Sequence, residues 1–313
     1  MTPFRTALPQ LSGPAFLTDG GLETKLIFLE GIDLPHFAAF PLVLTDTGRA
    51  VLTRYYEPFL RHAVKRRVGF VLDTPTWRAN PDWASKLGYG ADTLRTANQS
   101  AVAFATELGN KYAASIPVVI NGVIGPRGDG YVMTNAMAPD EAANYHELQI
   151  SAFRDSAADM VSAITITYVG EAVGIALAAR AAGLPLVISF TVETDGRLPS
   201  GQFLRDAIEE TDEASDGYPT YYMINCAHPE HFSRVFKSGE PWIERIGGIR
   251  ANASRKSHAE LDASTAIDIG DPVELGQQYR GLRSRLPWLV VLGGCCGTDE
   301  RHVEAICEAC LPV

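Results

Sequence analysis

Eight short apolar, β-branched runs recur along the chain, and longer stretches with helical spacing separate them. The runs are 15–18, 69–73, 117–123, 160–164, 186–190, 221–226, 247–250 and 290–291. The helical stretches between them include 93–113, 140–158, 171–182 and 272–286. Pro139-Asp140-Glu141 and Thr298-Asp299-Glu300 read as helix starts. Strand and helix alternating in this way, with no strand-only region, predict a (β/α)8 TIM barrel rather than an open sheet. No Gly/Ser-rich linker, low-complexity block or tandem repeat interrupts the pattern. Residues 1–313 are therefore expected to form a single domain, a length within reach of one α/β barrel.

Composition narrows the function. A net charge of −10 lacks the basic stripe of a nucleic-acid surface and mildly favours a cationic small substrate. No apolar stretch reaches the ~20 residues of a membrane span. Residues 1–13 do not show the charged-then-apolar pattern of a signal peptide. Five cysteines, an odd number, do not suggest a disulfide framework. A reducing cytoplasm is the expected compartment, where thiolates stay available for metal.

Three of those cysteines stand at predicted strand ends. The run Trp288-Leu289-Val290-Val291-Leu292 leads into Gly293-Gly294-Cys295-Cys296-Gly297-Thr298, and Cys226 ends the run that begins at Tyr221. Three thiolates suit a soft tetrahedral metal such as zinc and leave a fourth position open. Neighbouring side chains on a strand point to opposite faces, so Cys295 and Cys296 converge only if the backbone bends, which the flanking glycines permit. In a barrel the chemistry sits at the C-terminal ends of the strands. Thr18-Asp19-Gly20-Gly21-Leu22-Glu23 and Asp73-Thr74-Pro75-Thr76-Trp77 close two further strands on that rim.

Asp-Gly-Gly near the start, Asn225-Cys226 on the sixth strand and Gly-Gly-Cys-Cys-Gly on the eighth together resemble the homocysteine S-methyltransferase family. That family includes betaine– and S-methylmethionine–homocysteine methyltransferases and the homocysteine module of cobalamin-dependent methionine synthase. The resemblance spans roughly residues 12–311. It implies a zinc-bearing barrel with Cys226, Cys295 and Cys296 as ligands and the homocysteine sulfur as the fourth. It also implies Asp19 close to the bound amino acid and Asn225 supporting the site. Gly20, Gly21, Glu23, Trp77 and Thr165 complete the expected substrate-binding set.

A free thiol with pKa near ~8.5 is mostly protonated at neutral pH, and metal binding deprotonates it. The methyl group must then arrive on a good leaving group. With only a barrel to hold it, a small onium donor such as S-methylmethionine or a betaine-like compound is expected. Aromatic faces hold such cations, and Trp77, Trp83, Tyr131 and Tyr168 are the candidates.

One position departs from the family pattern. Where a Glu-Thr pair is expected at the end of strand four, this chain reads Ile164-Thr165. A buried ammonium without a carboxylate is costly, so Asp19, Glu23 or Glu193 must replace the glutamate, or the thiol acceptor differs. Cys307 and Cys310 read as residues of a terminal helix, and His228 and His231 as capping or solvent-facing groups. Gly125 to Gly130 lacks the Lys and Ser/Thr of a phosphate loop and reads as a rim loop. A zinc hydrolase would show His and Asp ligands. A metal-binding barrel without turnover stays open as an alternative to the enzyme, and oligomeric state is not readable.

Overall fold

The computed structural model describes residues 4–237 and 239–311. Its strands are β1 (Phe16–Leu17), β2 (Gly69–Asp73), β3 (Val118–Ile124), β4 (Met160–Ile166), β5 (Leu186–Phe190), β6 (Tyr221–Asn225), β7 (Ile246–Ala251) and β8 (Val291–Gly294). They pair in parallel in sequence order, and β1 closes on β8 through Phe16 opposite Val291, giving the expected closed barrel. Around it run α1 (Asp46–Arg66), α2 (Ala91–Asn110), α3 (Pro139–Arg154), α4 (Val169–Ala182), α5 (Leu204–Ser215), α6 (Pro229–Phe232), α7 (Pro272–Arg285) and α8 (Glu300–Cys310). The sixth unit departs from the regular alternation. Its helix α6 has only four residues, and the return to β7 is made by the 3-10 turn Pro241–Arg245. The helix expected to reach residue 158 stops at Arg154, because Ser156 accepts from Ala158 N and donates to Phe153 O, which turns the chain.

Every strand is buried on both faces apart from one half-buried residue, Ile164, as a parallel sheet wrapped in helices requires. The period of two then sorts the side chains. Phe70, Leu72, Ile120, Val161, Ile188, Ile224 and Leu292 face outward into the layer shared with the helices. Phe16, Val71, Val119, Met160, Val187, Tyr221, Met223 and Val291 fill the floor of the barrel, sealed from below by Leu8.

One step further along strands β2 to β7 the inward residue turns polar: Asp73, Asn121, Ser162, Ser189, Asn225 and Arg250, all buried. Hydrogen bonds link several of these groups, although Asn121 Oδ1 has no partner among the described residues. Asn121 donates to Asp73 at 2.7 Å, and Ser189 donates to Asn225 at 2.7 Å. The barrel interior is thus an apolar floor beneath a polar belt, and the functional rim stands on that belt.

Asp299 opens α8 as anticipated, accepting from Arg301 N at 3.0 Å. Burial pulls its carboxyl upward, but hydrogen bonds from His302 and Arg301 overcome this and hold it well below the usual range. A depressed carboxylate contributes stability above its unfolded value near ~3.9 and loses it as pH falls. Asp299→Asn should therefore cost about 1 kcal/mol at pH 7. The difference from wild type should shrink towards pH 3 in paired thermal melts; a gap that is constant with pH would contradict the charge role.

Candidate active site

The thiols of Cys226, Cys295 and Cys296 come together at the mouth of the barrel, with all three Sγ atoms within 4.8 Å of one another. Cys226 Sγ lies 3.9 Å from Cys296 Sγ. A tetrahedral zinc with Zn–S bonds of ~2.3 Å sets its sulfurs about 3.8 Å apart, so this donor set fits a thiophilic ion. Hydrogen bonds from the other two thiols pull Cys295 well below its ordinary range, whereas hydrogen bonding to Cys295 pushes Cys226 well above. A divalent cation is the natural counterweight to such crowded sulfurs.

Strand-end geometry explains the convergence. β8 ends at Gly294, and the vicinal pair opens the turn that follows, with Gly297 at φ +79°. Gly21 is required for a second reason: a Cβ there would sit 2.6 Å from Cys295 O. The Asp-Gly-Gly segment is therefore the surface against which the cysteine turn packs, tied by Gly21 N donating to Thr298 O at 3.0 Å.

Two non-glycine residues at the site adopt left-handed backbone, Thr165 at φ +64° and Cys226 at φ +53°. Such conformations cost on the order of 1–3 kcal/mol each and persist only where the surroundings enforce them. Asn225 is the enforcing side chain at Thr165. Its Oδ1 accepts from Thr165 N at 2.9 Å and its Nδ2 donates to Thr165 Oγ1 at 2.8 Å. Asn225 Nδ2 also points at Cys295 Sγ, 3.8 Å away. Cys226 is held by its N–H donating to Arg250 O at 3.2 Å and by its carbonyl against His258 Nε2 at 2.8 Å. β4 breaks register between Ala163 and Ile166 at the same place.

Beneath the thiols lies an ion network that the sequence reading missed. Arg250 on β7 donates to Asp19 at 2.6 Å, to Asp73, and to Gly294 O at 3.1 Å. Tyr55 from α1 adds a hydrogen bond to Asp19 Oδ2 at 2.9 Å. Burial, partly offset by Arg250 and reinforced by Asp73, raises the Asp19 carboxyl to about 6. Despite its own burial, Arg250 is held firmly protonated by the two carboxylates. The clue in the sequence was an arginine ending an otherwise apolar strand.

Asp19, Gly20, Gly21, Glu23, Trp77 and Thr165 all line one cavity of about 280 Å³ together with the three cysteines. Asn225 lies fully buried outside that lining. Ile164 contributes to the wall, and its carbonyl accepts from Trp77 Nε1 at 3.3 Å. Burial pushes the Glu23 carboxyl up to about 7. Glu193 is not part of the lining; it pairs with His258 Nδ1 at 3.1 Å. Of the four aromatic candidates, Trp77 and Tyr131 line the cavity, and Tyr131 OH donates to Cys296 Sγ at 3.4 Å. Trp83 and Tyr168 do not line it. Trp83 packs on Arg78 and Lys86, and Tyr168 OH accepts from Met137 N, so both serve as loop supports.

The remaining candidates fall outside the cluster. His228 caps α6 through its Nδ1, and His231 bonds Arg255 O. Cys307 and Cys310 sit on α8, with Cys307 in the outer core. No described helix is long and apolar enough to cross a membrane.

Comparison with known proteins places this geometry. The solved structure of the homocysteine methyltransferase MmuM from Escherichia coli in its oxidised form shares 17% identity at TM-score 0.74, covering 94% of this chain and 96% of that one. The metallated form of the same protein matches at 18% identity and TM-score 0.70 over 94% and 96%. These likenesses establish the shared barrel. No curated protein gives a significant match to the sequence. The family model described as homocysteine S-methyltransferase matches residues 16–310, nearly the whole chain. By that match the chain is a methyltransferase enzyme belonging to the homocysteine S-methyltransferase family.

Proposed function

We propose that the protein is a zinc-dependent S-methyltransferase that moves a methyl group from a small onium donor to the thiol of homocysteine, giving methionine, in a cytoplasmic setting. The observation that carries this reading is the triangle of thiols at the mouth of the barrel, with a sulfur spacing that fits zinc and an apolar-walled cavity above it. Cys226, Cys295 and Cys296 would hold the ion, and bound zinc would supply the acidity that turns an acceptor thiol into the nucleophilic thiolate at neutral pH.

The protein's own groups do the rest in this proposal. Asn225 and Tyr131 direct an N–H and an O–H at the sulfurs of Cys295 and Cys296, which fixes the direction of those side chains. Trp77 and Tyr131 give the cavity aromatic faces for an onium methyl donor. Methyl transfer to sulfur then forms one S–C bond as the donor's S–C or N–C bond breaks, and the donor leaves as a neutral thioether or amine. Glu23 lines the cavity beside the Asp-Gly-Gly segment and makes no ion pair among the described residues, and we assign it the acceptor's ammonium. Asp19 lines the same cavity with both oxygens engaged by Arg250, Thr18 and Tyr55, and in this reading it orients rather than pairs.

A second reading, a different thiol acceptor, is favoured by Ile164, which makes apolar the corner where an acidic side chain was expected. One assay separates them. Zinc-loaded protein is offered S-methylmethionine or glycine betaine with either homocysteine or 3-mercaptopropionate, which has no amino group. Homocysteine is expected to react at least tenfold faster, with Glu23→Gln erasing about 1.5–3 kcal/mol of that preference. Equal rates with the two thiols, unaffected by Glu23→Gln, would overturn homocysteine as the acceptor.

A further inference from the structure

Arg78 follows Trp77 at the end of the β2 loop and lines the cavity that holds the three thiols. It is 8% exposed, yet its one hydrogen bond among the described residues is from Nη1 to Gly128 O at 3.2 Å. Its Nε is buried with no partner at all. Glu23, Asp129 and Asp262 are the acidic groups whose charges reach it, and none is ion-paired to it among the described residues. Asp129 is instead occupied in its own loop, accepting from Tyr131 N at 2.7 Å and Val132 N at 3.2 Å. A buried guanidinium with so few of its five donors used is an expensive arrangement for packing alone. Structural arginines look different in this same molecule: Arg250 meets two carboxylates and a carbonyl.

Two indoles flank the group as well. The guanidinium carbon lies 4.2 Å from the Trp77 ring centre and 3.6 Å from that of Trp83. Indoles offer no acceptor to the guanidinium N–H groups, so those donors remain for a polar partner, and their fork matches a carboxylate in shape and charge. Trp77 lies against the guanidinium and also forms part of the cavity wall, so an onium group against Trp77 would stand near Arg78.

We propose that Arg78 reads the carboxylate of the methyl donor, so that the cavity selects zwitterionic onium compounds over simple organic cations. The inference rests on the onium-donor reading above and adds to it the half of the donor that the thiol site cannot recognise. Losing a charge-assisted hydrogen bond of this kind changes affinity by about ten- to a hundredfold.

The test is calorimetric titration of the zinc-loaded full chain with glycine betaine, with choline, which keeps the quaternary ammonium but lacks the carboxylate, and with butyrate, which is a carboxylate without an onium centre. Wild type should bind betaine about ten- to a hundredfold more tightly than choline. Arg78→Gln should bring the ratio close to one by weakening betaine, leave choline no weaker, and abolish butyrate binding. Zinc content should be unchanged. If Arg78→Gln does not fold, Arg78→Lys keeps the charge without the planar fork and should lose most of the betaine preference. A betaine-to-choline ratio that survives the substitution overturns the role of Arg78 while leaving the onium donor in place. Butyrate binding that depends on Arg78, with neither onium compound bound, keeps the anion site and rejects the onium donor. Failure of wild type to bind either carboxylate overturns the proposal.

Discussion

Wild-type protein is expected to carry about one zinc per chain, and Cys296→Ala protein to purify folded with little of it and to lose methyl transfer by more than about a hundredfold. That magnitude follows from the outer shell: removing a group that merely orients a ligand costs about 10–100-fold, and Cys296 is proposed as a ligand itself. Folding should survive because the apolar floor and the outer helical layer make no use of the thiols. Metal analysis beside a thermal melt decides the matter. Full zinc occupancy in Cys296→Ala would remove the cysteine triangle as the metal centre, and a collapsed melting temperature would show that the ion holds the barrel together.

Arg250→Ala is expected to be the most damaging single change to stability. It leaves Asp19 and Asp73, each nearly inaccessible to solvent, facing one another without their shared cation. Breaking a buried ion pair by removing one partner costs about 3–5 kcal/mol. In a chain of this size that corresponds to a fall in melting temperature of roughly 10 °C. Neutralising a stranded carboxylate in the double variant Arg250→Ala/Asp73→Asn should recover part of the loss, because the two residues share one network. A single variant melting within about 2 °C of wild type would mean that the network contributes little. The double variant also separates charge from packing: no recovery would point to the lost volume of the arginine side chain.

The barrel was legible in the chain because its parallel strands read as continuous apolar runs between helical stretches. The shortness of the sixth unit's helix has a plain cause. The segment after Cys226 contains Pro229 and Pro241, and turn-forming residues between them leave room for only four residues of helix. The cysteine triangle was legible because vicinal cysteines in a glycine setting have few structural uses, and the fold brings Cys226 beside them from a strand 70 residues away. The ion network was not. Asp73 and Arg250 lie on separate strands, where the period of two in the correct register turns both inward, and Asp19 joins them from the loop that follows β1. Arg78 was hidden for a different reason. Nothing in Thr76-Trp77-Arg78 says that Trp83, five residues on, folds back to lie against the guanidinium.

The stacking of apolar floor, polar belt and rim inside the barrel bears on how such an enzyme changes over evolutionary time. Four residues of the cavity wall, Ile164, Trp77, Arg78 and Tyr131, come from a bulged strand end and from loops above the belt. The residues that close the cylinder, Phe16, Val119, Met160 and Val291, lie beneath it. A lineage can therefore exchange an acid for an isoleucine at position 164 and acquire a new preference without spending the stability margin that the floor provides. Descendants of one ancestral barrel would then diverge in substrate while their floors stayed interchangeable, and a chimera joining the lower strands of one to the rim loops of another should inherit its chemistry from the rim.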